Sequence, residues 1–311
     1  MKQPERILLV GAGGQIGTVL TQALRDVYGA DNVLATDLHA LAGHAGPTAL
    51  LDATNRADMG ALVQQFKPTQ MYHLAAILSA TGEKNPLWAW GINMDSLFNV
   101  LETARENGVK KVYYPSSIAV FGELAPPIDT PQHAVLIPTT VYGISKVAGE
   151  HWANYYFRRY GLDVRSLRYP GIIGYQSPPG GGTTDYAVDI YHHAAQGKPF
   201  TCFLGPDTRL PMLYMDDAIR ATLELMEAPA DRLTVRTSYN LAGMSFTPAE
   251  VTASIQKHVP DFQVAYAPDF RQAIADSWPK SIDDAAARHD WGWKPEFDLD
   301  AMTADMLKHL L

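Results

Sequence analysis

The feature that most constrains the fold of this chain is a regular alternation of short apolar runs with stretches of helical periodicity. Apolar runs with the length and composition of buried strands occupy residues 7–10, 33–36, 49–51 and 71–74. Between the first two runs, Ile16, Leu20 and Leu24 recur at helical spacing, and a second helical pattern separates the last two runs. Strands that alternate with helices predict a parallel sheet with helices on both faces.

Three glycines follow the first predicted strand directly and open the first predicted helix. They are Gly11, Gly14 and Gly17. Glycine allows a tight turn and a close approach of the backbone to a pyrophosphate, which binds to the free amides at a helix N-terminus. An ordinary strand-to-helix turn also tolerates glycine. However, a strand before the loop, a helix after it and an acidic residue at the end of the second strand favour dinucleotide binding.

That acidic residue is Asp37, 20 positions beyond Gly17. A carboxylate at this point accepts hydrogen bonds from the ribose hydroxyls of NAD and repels the 2′-phosphate of NADP. The next residues, Leu38, His39 and Ala40, include no arginine that would neutralise such a phosphate. We therefore expect NAD as the cofactor, the alternative being that Asp37 only caps a turn.

The pattern continues to about residue 170 and then changes. Further strand-like runs lie at residues 111–114 and 164–169, and further helical stretches lie near residues 94–105 and 142–160. The sequence therefore predicts six or seven parallel strands. Beyond this point Gly, Pro and Thr crowd residues 170–184, and a capping box of Thr247 and Glu250 predicts a later helix start. We predict an α/β fold of the Rossmann type, a doubly wound parallel sheet with a smaller C-terminal substrate lobe. Residues 1–170 form the NAD-binding domain, to which the chain later returns, and residues 171–311 form mainly the substrate-binding lobe.

Composition and charge limit the partners and the location of the protein. A formal net charge of −8 over 311 residues argues against nucleic acid or an anionic membrane as the main partner. No apolar run reaches the ~18 residues of a membrane helix, and the first strand begins after only five residues, which leaves no space for a signal peptide. The single cysteine, Cys202, excludes an internal disulfide and zinc sites built on several thiolates, and the histidines lack ligand spacing. We expect a cytoplasmic protein without a metal that acts on a small molecule.

A tyrosine and a lysine stand four residues apart on a predicted helix. Tyr142 and Lys146 therefore project from one face, where an ammonium stabilises phenolate and lets the tyrosine act as a base near neutral pH. This spacing is common on solvated helix faces and is weak evidence alone. Ser117 strengthens it, because this residue follows a strand at the sheet edge where ligands bind in such folds and can hold a substrate oxygen against Tyr142.

Together these motifs resemble the extended branch of the short-chain dehydrogenase/reductase superfamily, which includes nucleotide-sugar epimerases. The resemblance covers the first 170 residues and rests on the glycines at 11–17, Asp52, residues 73–76, Asn93, Ser116-Ser117 with Phe121-Gly122, and Tyr142 with Lys146. It implies that Asp52 binds adenine, that residues 74–76 lie along the cofactor and that Asn93 supports the active-site helix and a water relay. It also implies that Lys146 holds the nicotinamide ribose, and that the protein is a homodimer through helices packed as a four-helix bundle.

The catalytic residues that we expect from these arguments are Ser117, Tyr142 and Lys146. The residues that we expect to contact NAD are Gly11, Gly14, Gln15, Ile16, Gly17, Asp37, Leu38, Asp52, Ala53, Leu74, Ala75, Ala76, Asn93, Tyr142, Lys146, Tyr169 and Ile172.

The second half of the chain distinguishes members of this branch. Sugar-nucleotide epimerases usually follow the sixth strand with Arg-Tyr-Phe-Asn, whereas residues 168–171 here are Arg-Tyr-Pro-Gly, so the asparagine that helps to hold a nucleotide sugar is missing. The segments that instead resemble L-threonine 3-dehydrogenases of the extended short-chain type are residues 179–189, 210–219, 238–248 and 268–279. This resemblance spans nearly the whole chain. It implies NAD-dependent oxidation of L-threonine at its 3-hydroxyl to 2-amino-3-oxobutanoate, a step of threonine catabolism.

Such a substrate needs donors for its carboxylate, an acceptor for its ammonium and a base at its hydroxyl. The residues that we expect to supply them, or to cover the ligand, are Ser79, Ser117, Tyr142, Gly182, Thr184, Asp185 and Trp278. Gly180, Gly181 and Gly182, followed by Thr183 and Thr184, form either an anion-binding nest or the hinge of a closing loop. Asp185 either accepts from the ammonium or caps a helix, and Trp278 either covers the ligand or packs in the core.

Two other functions remain open from the sequence. An NAD-dependent nucleotide-sugar epimerase or dehydratase would share the motifs of the first 170 residues. A non-catalytic NAD-sensing scaffold would keep the glycine loop but need not keep Ser117, Tyr142 and Lys146, and all three are present. A dehydrogenase is therefore the favoured hypothesis.

Overall fold

The computed structural model describes residues 4–41, 43, 45–180 and 182–311, so Gly181 of the predicted substrate loop lies outside the described part. The strands, numbered in chain order, are β1 (Ile7–Val10), β2 (Val33–Asp37), β3 (Thr48–Leu50), β4 (Gln70–His73), β5 (Lys111–Tyr113), β6 (Ser116–Ser117), β7 (Asp163–Arg165), β8 (Leu167–Tyr169), β9 (Gly171–Ile173), β10 (Phe200–Cys202), β11 (Leu210–Tyr214), β12 (Tyr239–Asn240), β13 (Met244–Phe246) and β14 (Val264–Tyr266). The α-helices are α1 (Gln15–Tyr28), α2 (Arg56–Phe66), α3 (Ser79–Gly82), α4 (Pro86–Glu106), α5 (Val141–Tyr160), α6 (Tyr186–Ala195), α7 (Met215–Glu227), α8 (Pro248–Gln256), α9 (Arg271–Asp276), α10 (Ala285–Trp291) and α11 (Leu299–Leu310).

A six-stranded parallel sheet in the order β3-β2-β1-β4-β5-β7 forms the centre of the fold. Its register places Ile7 of β1 beside Val33 of β2 and Gln70 of β4. All four residues of β1 are buried, as expected of a strand covered by helices on both faces. The predicted Rossmann-type α/β fold is therefore confirmed.

The prediction of one continuous strand at residues 164–169 is wrong, because the structure divides it into β7 and β8. Ser166 marks the step: its carbonyl accepts a hydrogen bond from the amide of Tyr239 at 2.9 Å. From this point the chain leaves the main sheet, and β8 lies between β6 and β12 in a second, three-stranded parallel sheet. The step brings Tyr169 opposite Ser117, at the edge where the ligand is expected.

The second half of the chain returns to the first. β11 lies between β9 and β13 in a small mixed sheet, and α7 packs against α1. Leu213, Met215 and Trp293 from the second half share one apolar cluster with Ile7 and Leu9 of β1. One core therefore joins residues on both sides of position 170.

Helix α8 begins where the sequence predicts. The hydroxyl of Thr247 accepts from the Glu250 amide at 3.2 Å, and the Glu250 carboxylate accepts from the Thr247 amide at 2.8 Å. Pro248 is the first helical residue. An amide at this position has no acceptor within the helix, so proline loses no hydrogen bond there. This reciprocal capping box confirms the prediction.

Candidate active site

The glycine loop after β1 permits close contact between two backbone segments. Gly11 has φ +90°, and a Cβ placed on it would lie 2.5 Å from the amide nitrogen of Ala75, so a side chain would push the loop away from the segment after β4. Gly14 stands at the N-cap of α1, and the nearest atom to a Cβ placed there would be 3.8 Å away. No side chain caps the first turn of α1, so its free amides are left for an anion. Nε2 of Gln15 is buried, lines the same cavity and has no hydrogen-bond partner among the described residues, which also fits a polar ligand.

Asp37 is held beside this loop. Its Oδ2 accepts from the amide of Gly13 at 2.9 Å, and its Oδ1 accepts from the amide of His39 at 3.1 Å. The side chain thus caps a turn, which is one of the two functions considered for it. A carboxylate has about four acceptor sites, so these two bonds leave capacity for the ribose hydroxyls of a dinucleotide.

Two further predicted cofactor residues are engaged in local contacts. Oδ1 of Asp52 accepts from the amide and the hydroxyl of Thr54 at 2.8 and 2.7 Å. The side-chain amide of Asn93 on α4 accepts from the amide of Ile77 at 2.7 Å and donates to its carbonyl at 3.1 Å. It also donates to the hydroxyl of Ser145 at 3.2 Å, so Asn93 ties the segment after β4 to α5.

The three predicted catalytic residues come together because α5 packs tightly on the turn after β6. A Cβ placed on Gly143 would lie 2.2 Å from the carbonyl oxygen of Ala119, so glycine is required for this approach. Thr140 caps the helix by accepting from the Gly143 amide at 3.1 Å. As a result, one cavity is lined by Ser117, Tyr142 and Lys146.

Tyr142 is partly buried and lines the same cavity as Ser117. Burial raises the pKa of Tyr142 to about 12, and the Ser117 hydroxyl opposes this rise. The pKa therefore lies above its usual value, contrary to the sequence prediction, because the extent of burial was not visible in the sequence.

Lys146 is 4% exposed and donates from Nζ to the carbonyl of Pro115 at 2.6 Å. Its Nζ lies 4.6 Å from the ring centroid of Tyr114 and 5.4 Å from that of Tyr142. Burial lowers the pKa of Lys146 to about 7, and the carboxylate of Glu150, one turn later on α5, opposes this fall. A buried lysine that titrates near neutral pH in a cleft is characteristic of an active site.

The segment before α6 and the turn after β4 line another part of the cavity. The hydroxyls of Ser79 and Thr183 are buried and lie 3.4 Å apart. Asp185 stands at the N-cap position of α6, but its Oδ2 accepts from the amide of Gly182 at 2.8 Å and not from the first turn of the helix. Trp278 packs in the apolar cluster of the second half and also lines the cavity, so the two functions considered for it are compatible.

A cavity of about 240 Å³ joins the glycine loop, the side chains of Ser117, Tyr142 and Lys146, and the segment before α6. The predicted residues that line it are Gly11, Gly14, Gln15, Ile16, Gly17, Leu74, Ala76, Ser79, Ser117, Tyr142, Lys146, Tyr169, Ile172, Gly182, Thr184, Asp185 and Trp278. The predicted residues that the structure places outside its lining are Asp37, Leu38, Asp52, Ala53, Ala75 and Asn93. Lining residues that sequence reasoning did not select include Leu78, Pro115, Ser116, Ile118, Pro170 and Gly171. Most of these stand just after a parallel strand ends, which is the signal that would have found them.

The part of the chain that the structure describes contains neither a metal-binding cluster nor a membrane-spanning helix. Within residues 4–41, 43, 45–180 and 182–311, no group of three His, Cys, Asp or Glu side chains is arranged to hold a metal ion. Over the same ranges, no helix is both long and apolar enough to span a membrane.

Similar proteins extend over nearly the whole chain. The sequence pattern of the NAD-dependent epimerase/dehydratase family matches residues 7–242. An uncharacterised epimerase/dehydratase of Staphylococcus haemolyticus is 51% identical over 309 residues, which cover 98% of this chain and 97% of that protein. The holo structure of an L-threonine dehydrogenase from Cupriavidus necator is 57% identical with a TM-score of 0.97, covering 98% of this chain and 100% of that one. The apo structure of a monomeric L-threonine 3-dehydrogenase from a metagenome is 49% identical with a TM-score of 0.96 and covers 98% of each chain.

Proposed function

The chain belongs to the NAD-dependent epimerase/dehydratase family, and we propose that it is an NAD-dependent L-threonine 3-dehydrogenase. It oxidises L-threonine at the 3-hydroxyl to 2-amino-3-oxobutanoate. The observation that carries this proposal is that the glycine loop and the side chains of Ser117, Tyr142 and Lys146 line one cavity. Similarity to L-threonine dehydrogenases over 98% of the chain supports the choice of substrate.

NAD is the cofactor of this family, and the residues present fit it. When bound, NAD accepts a hydride from carbon 3 of the substrate. We assign its pyrophosphate to the N-terminus of α1 and the loop from Gly11 to Gly17, and its adenosine ribose to Asp37. We assign the nicotinamide ribose to Lys146.

The protein's own side chains handle the proton. Tyr142 takes it from the 3-hydroxyl, while Ser117, which lines the same cavity, donates to the same substrate oxygen and holds it in place. The ammonium of Lys146 favours the phenolate through its charge.

The reactive form of this pair is a minority. Tyr142 must be deprotonated although burial raises its pKa to about 12, and Lys146 must be protonated although burial lowers its pKa to about 7. Both shifts oppose the form in which both groups are charged. Turnover therefore rises with pH only until Lys146 begins to lose its proton, and then levels off, because further ionisation of Tyr142 is matched by loss of the ammonium.

The substrate groups are assigned to the loop before α6 and its neighbours. We assign the substrate carboxylate to the hydroxyls of Ser79 and Thr184 and to the chain segment at Gly182, and the ammonium to Asp185. Trp278 closes the cavity against water. The support for these assignments is that all five residues line the same cavity as Tyr142.

The proposal includes a homodimer. Helices α4 and α5 pack against each other and leave several large apolar side chains exposed, namely Leu87, Trp88, Trp90, Trp152 and Tyr155. An apolar surface of this kind supports a four-helix interface between two copies. Because a similar protein is described as monomeric, light scattering is the deciding measurement, and the mass of a single chain would refute the dimer.

The proposal also states which ligand each part of the chain binds and where in the cell the protein is located. Residues 1–170 bind NAD and residues 171–311 mainly bind the substrate, which is supported by the glycine loop in the first part and by Gly182, Asp185 and Trp278 in the second. The cytoplasm is supported by Cys202, a buried free thiol that needs no oxidising compartment.

The test is the formation of NADH, followed by absorbance, when the purified protein is mixed with NAD. L-threonine, L-allo-threonine, L-serine and UDP-galactose are offered in parallel. NADH formation with L-threonine, and its loss in Tyr142→Phe, is the expected result. Conversion of the nucleotide sugar without net NADH, and silence with the amino acids, would replace this function by an epimerase.

A further inference from the structure

A buried ion pair lies one helical turn beyond Lys146. Glu150 and Arg168 are 1% and 4% exposed. Arg168 donates from Nε to Oε1 of Glu150 at 2.9 Å and from Nη2 to Oε2 at 2.7 Å, so both carboxylate oxygens are bound. The reaction described above uses neither residue. Because it is costly to remove two charges from water, this pair calls for a functional explanation.

Glu150 also holds the strand that carries Ser117. The hydroxyl of Ser116 donates to Oε1 of Glu150 at 2.6 Å. Nζ of Lys146 donates to the carbonyl of Pro115 at 2.6 Å. Two side chains from one face of α5 thus bind the two residues directly before Ser117, which fixes the distance between Ser117 and the helix that carries the base.

The charge of Glu150 acts on Lys146. The titratable and charged groups around this ammonium in the described part of the chain are Tyr142 and Glu150 on α5, His73 on β4, Tyr114 after β5 and Arg168 on β8. His73 is neutral at physiological pH, because burial lowers its pKa to about 3. Glu150 is thus the anion of this group. It opposes the effect of burial on the pKa of Lys146.

We propose that Glu150 is a positioning residue of this active site, which ties Ser116 beside Ser117 and supplies the anion one helical turn from Lys146; the inference rests on the dehydrogenase function proposed above. Arg168 fixes the carboxylate for this purpose. Its Nη1 donates in turn to the carbonyl of Gln132 and to Oδ1 of Asn240, each at 3.0 Å. Through Asn240, the second half of the chain contributes to the geometry of the catalytic residues.

The test is the pH profile of kcat for Glu150→Gln. This variant keeps the size of the side chain and removes its charge, which moves the loss of the Lys146 proton to lower pH by about one unit. The variant should match the wild type at low pH, where Lys146 is protonated in both. As the pH rises, kcat of the variant should then level off at a lower pH than in the wild type, at a value about tenfold lower. A loss by the same factor at every pH, or no loss at all, would overturn the electrostatic part of the proposal.

Matched variants separate this effect from simple destabilisation. Asp163→Asn breaks the ion pairs that this partly buried carboxylate on β7 makes with Arg165 and Arg236, outside the cavity lining, and should lower stability without moving the pH profile. Glu150→Asp keeps the charge and should keep the pH at which turnover levels off. Ser116→Ala keeps the ion pair and removes only the hydrogen bond from Ser116 to Glu150, which holds Ser116 beside Ser117. We therefore expect kcat to fall several-fold without a shift in its pH profile. An unchanged kcat in Ser116→Ala would overturn the positioning part.

A second measurement does not depend on activity. In protein labelled with ¹³C-lysine, NMR reports the pH at which Lys146 loses its proton, with Lys146→Met identifying the resonance. Glu150→Gln should lower this pH by about one unit, and Glu150→Asp should leave it in place. No shift in Glu150→Gln refutes the charge role of Glu150 even if L-threonine is oxidised. A shift in a protein that fails to oxidise L-threonine instead refutes the proposed function and retains the charge role of Glu150. If Glu150→Gln does not fold, Ser116→Ala decides the positioning part, and a shifted Lys146 pH in Glu150→Asp, which keeps the charge, would overturn the charge part.

Discussion

Lowering the pH from 7 to 5 should destabilise this protein through His73. This residue ends β4 and is 2% exposed; its Nε2 lies 3.3 Å from the hydroxyl of Ser96, and its Nδ1 has no partner in the described part of the chain. Burial, and after it the charge of Lys146, lower the pKa of His73 from 6.5 to about 3. Between these values the unfolded chain binds a proton that the folded chain does not.

The sign and the size follow from this difference. A depressed pKa in the folded state means that the stability is fully present above pH 6.5 and is lost as the pH falls toward 3. Each pH unit in this window is worth about 1.4 kcal/mol, so going from pH 7 to pH 5 lowers the free energy of unfolding by about 2 kcal/mol. That is a large part of a typical stability of about 5–15 kcal/mol.

The assay is urea unfolding at pH 7, 6 and 5. Most carboxylates titrate below this range and contribute equally to all variants. The loss of stability from pH 7 to pH 5 should be about 2 kcal/mol smaller in His73→Gln than in the wild type. His151→Gln, a change at an exposed histidine of α5, is the matched control and should retain the wild-type loss. The same pH dependence in His73→Gln and the wild type would refute the reasoning.

Three further outcomes follow from the site and the fold. Tyr142→Phe removes the base and should lower kcat by about 100-fold or more, while calorimetry shows NAD binding within a few-fold of the wild type; substantial turnover would point to another base. Asp37→Ala removes the carboxylate beside the glycine loop and should narrow the preference for NAD over NADP, measured as the ratio of kcat/KM values. An unchanged ratio would exclude its ribose role. Thr247→Ala loses the hydroxyl of the capping box and should lower the free energy of unfolding by about 1 kcal/mol in urea without changing turnover. Equal stability of variant and wild type would contradict the value assigned to the cap.

Much of this molecule follows from patterns that are local in sequence. The alternation of apolar runs with helical spacing is sufficient for a doubly wound parallel sheet, because each strand or helix is defined within some ten to twenty residues. The glycine loop between β1 and α1 and the pair Tyr142 and Lys146 are equally local. One turn of helix separates the two catalytic side chains, so their common face could be predicted without a structure.

Other features depend on where distant segments meet. Arg168 binds Glu150, 18 residues away, and Asn240, 72 residues away, and neither partner is marked by a motif. The step at Ser166 depends likewise on pairing with Tyr239, which the apolar run at 164–169 does not reveal.

Burial decides the chemistry in the same way. The residue types and spacing of Tyr142 and Lys146 indicate a base and a cation. Their pKa values, however, are shifted in opposite directions from the usual ones, to about 12 and about 7. These shifts arise from removal of both groups from water by segments far apart in the chain. The sequence by itself therefore determined the fold class and the identity of the reacting groups, and only the tertiary structure determined their desolvation and the buried ion pair that supports them.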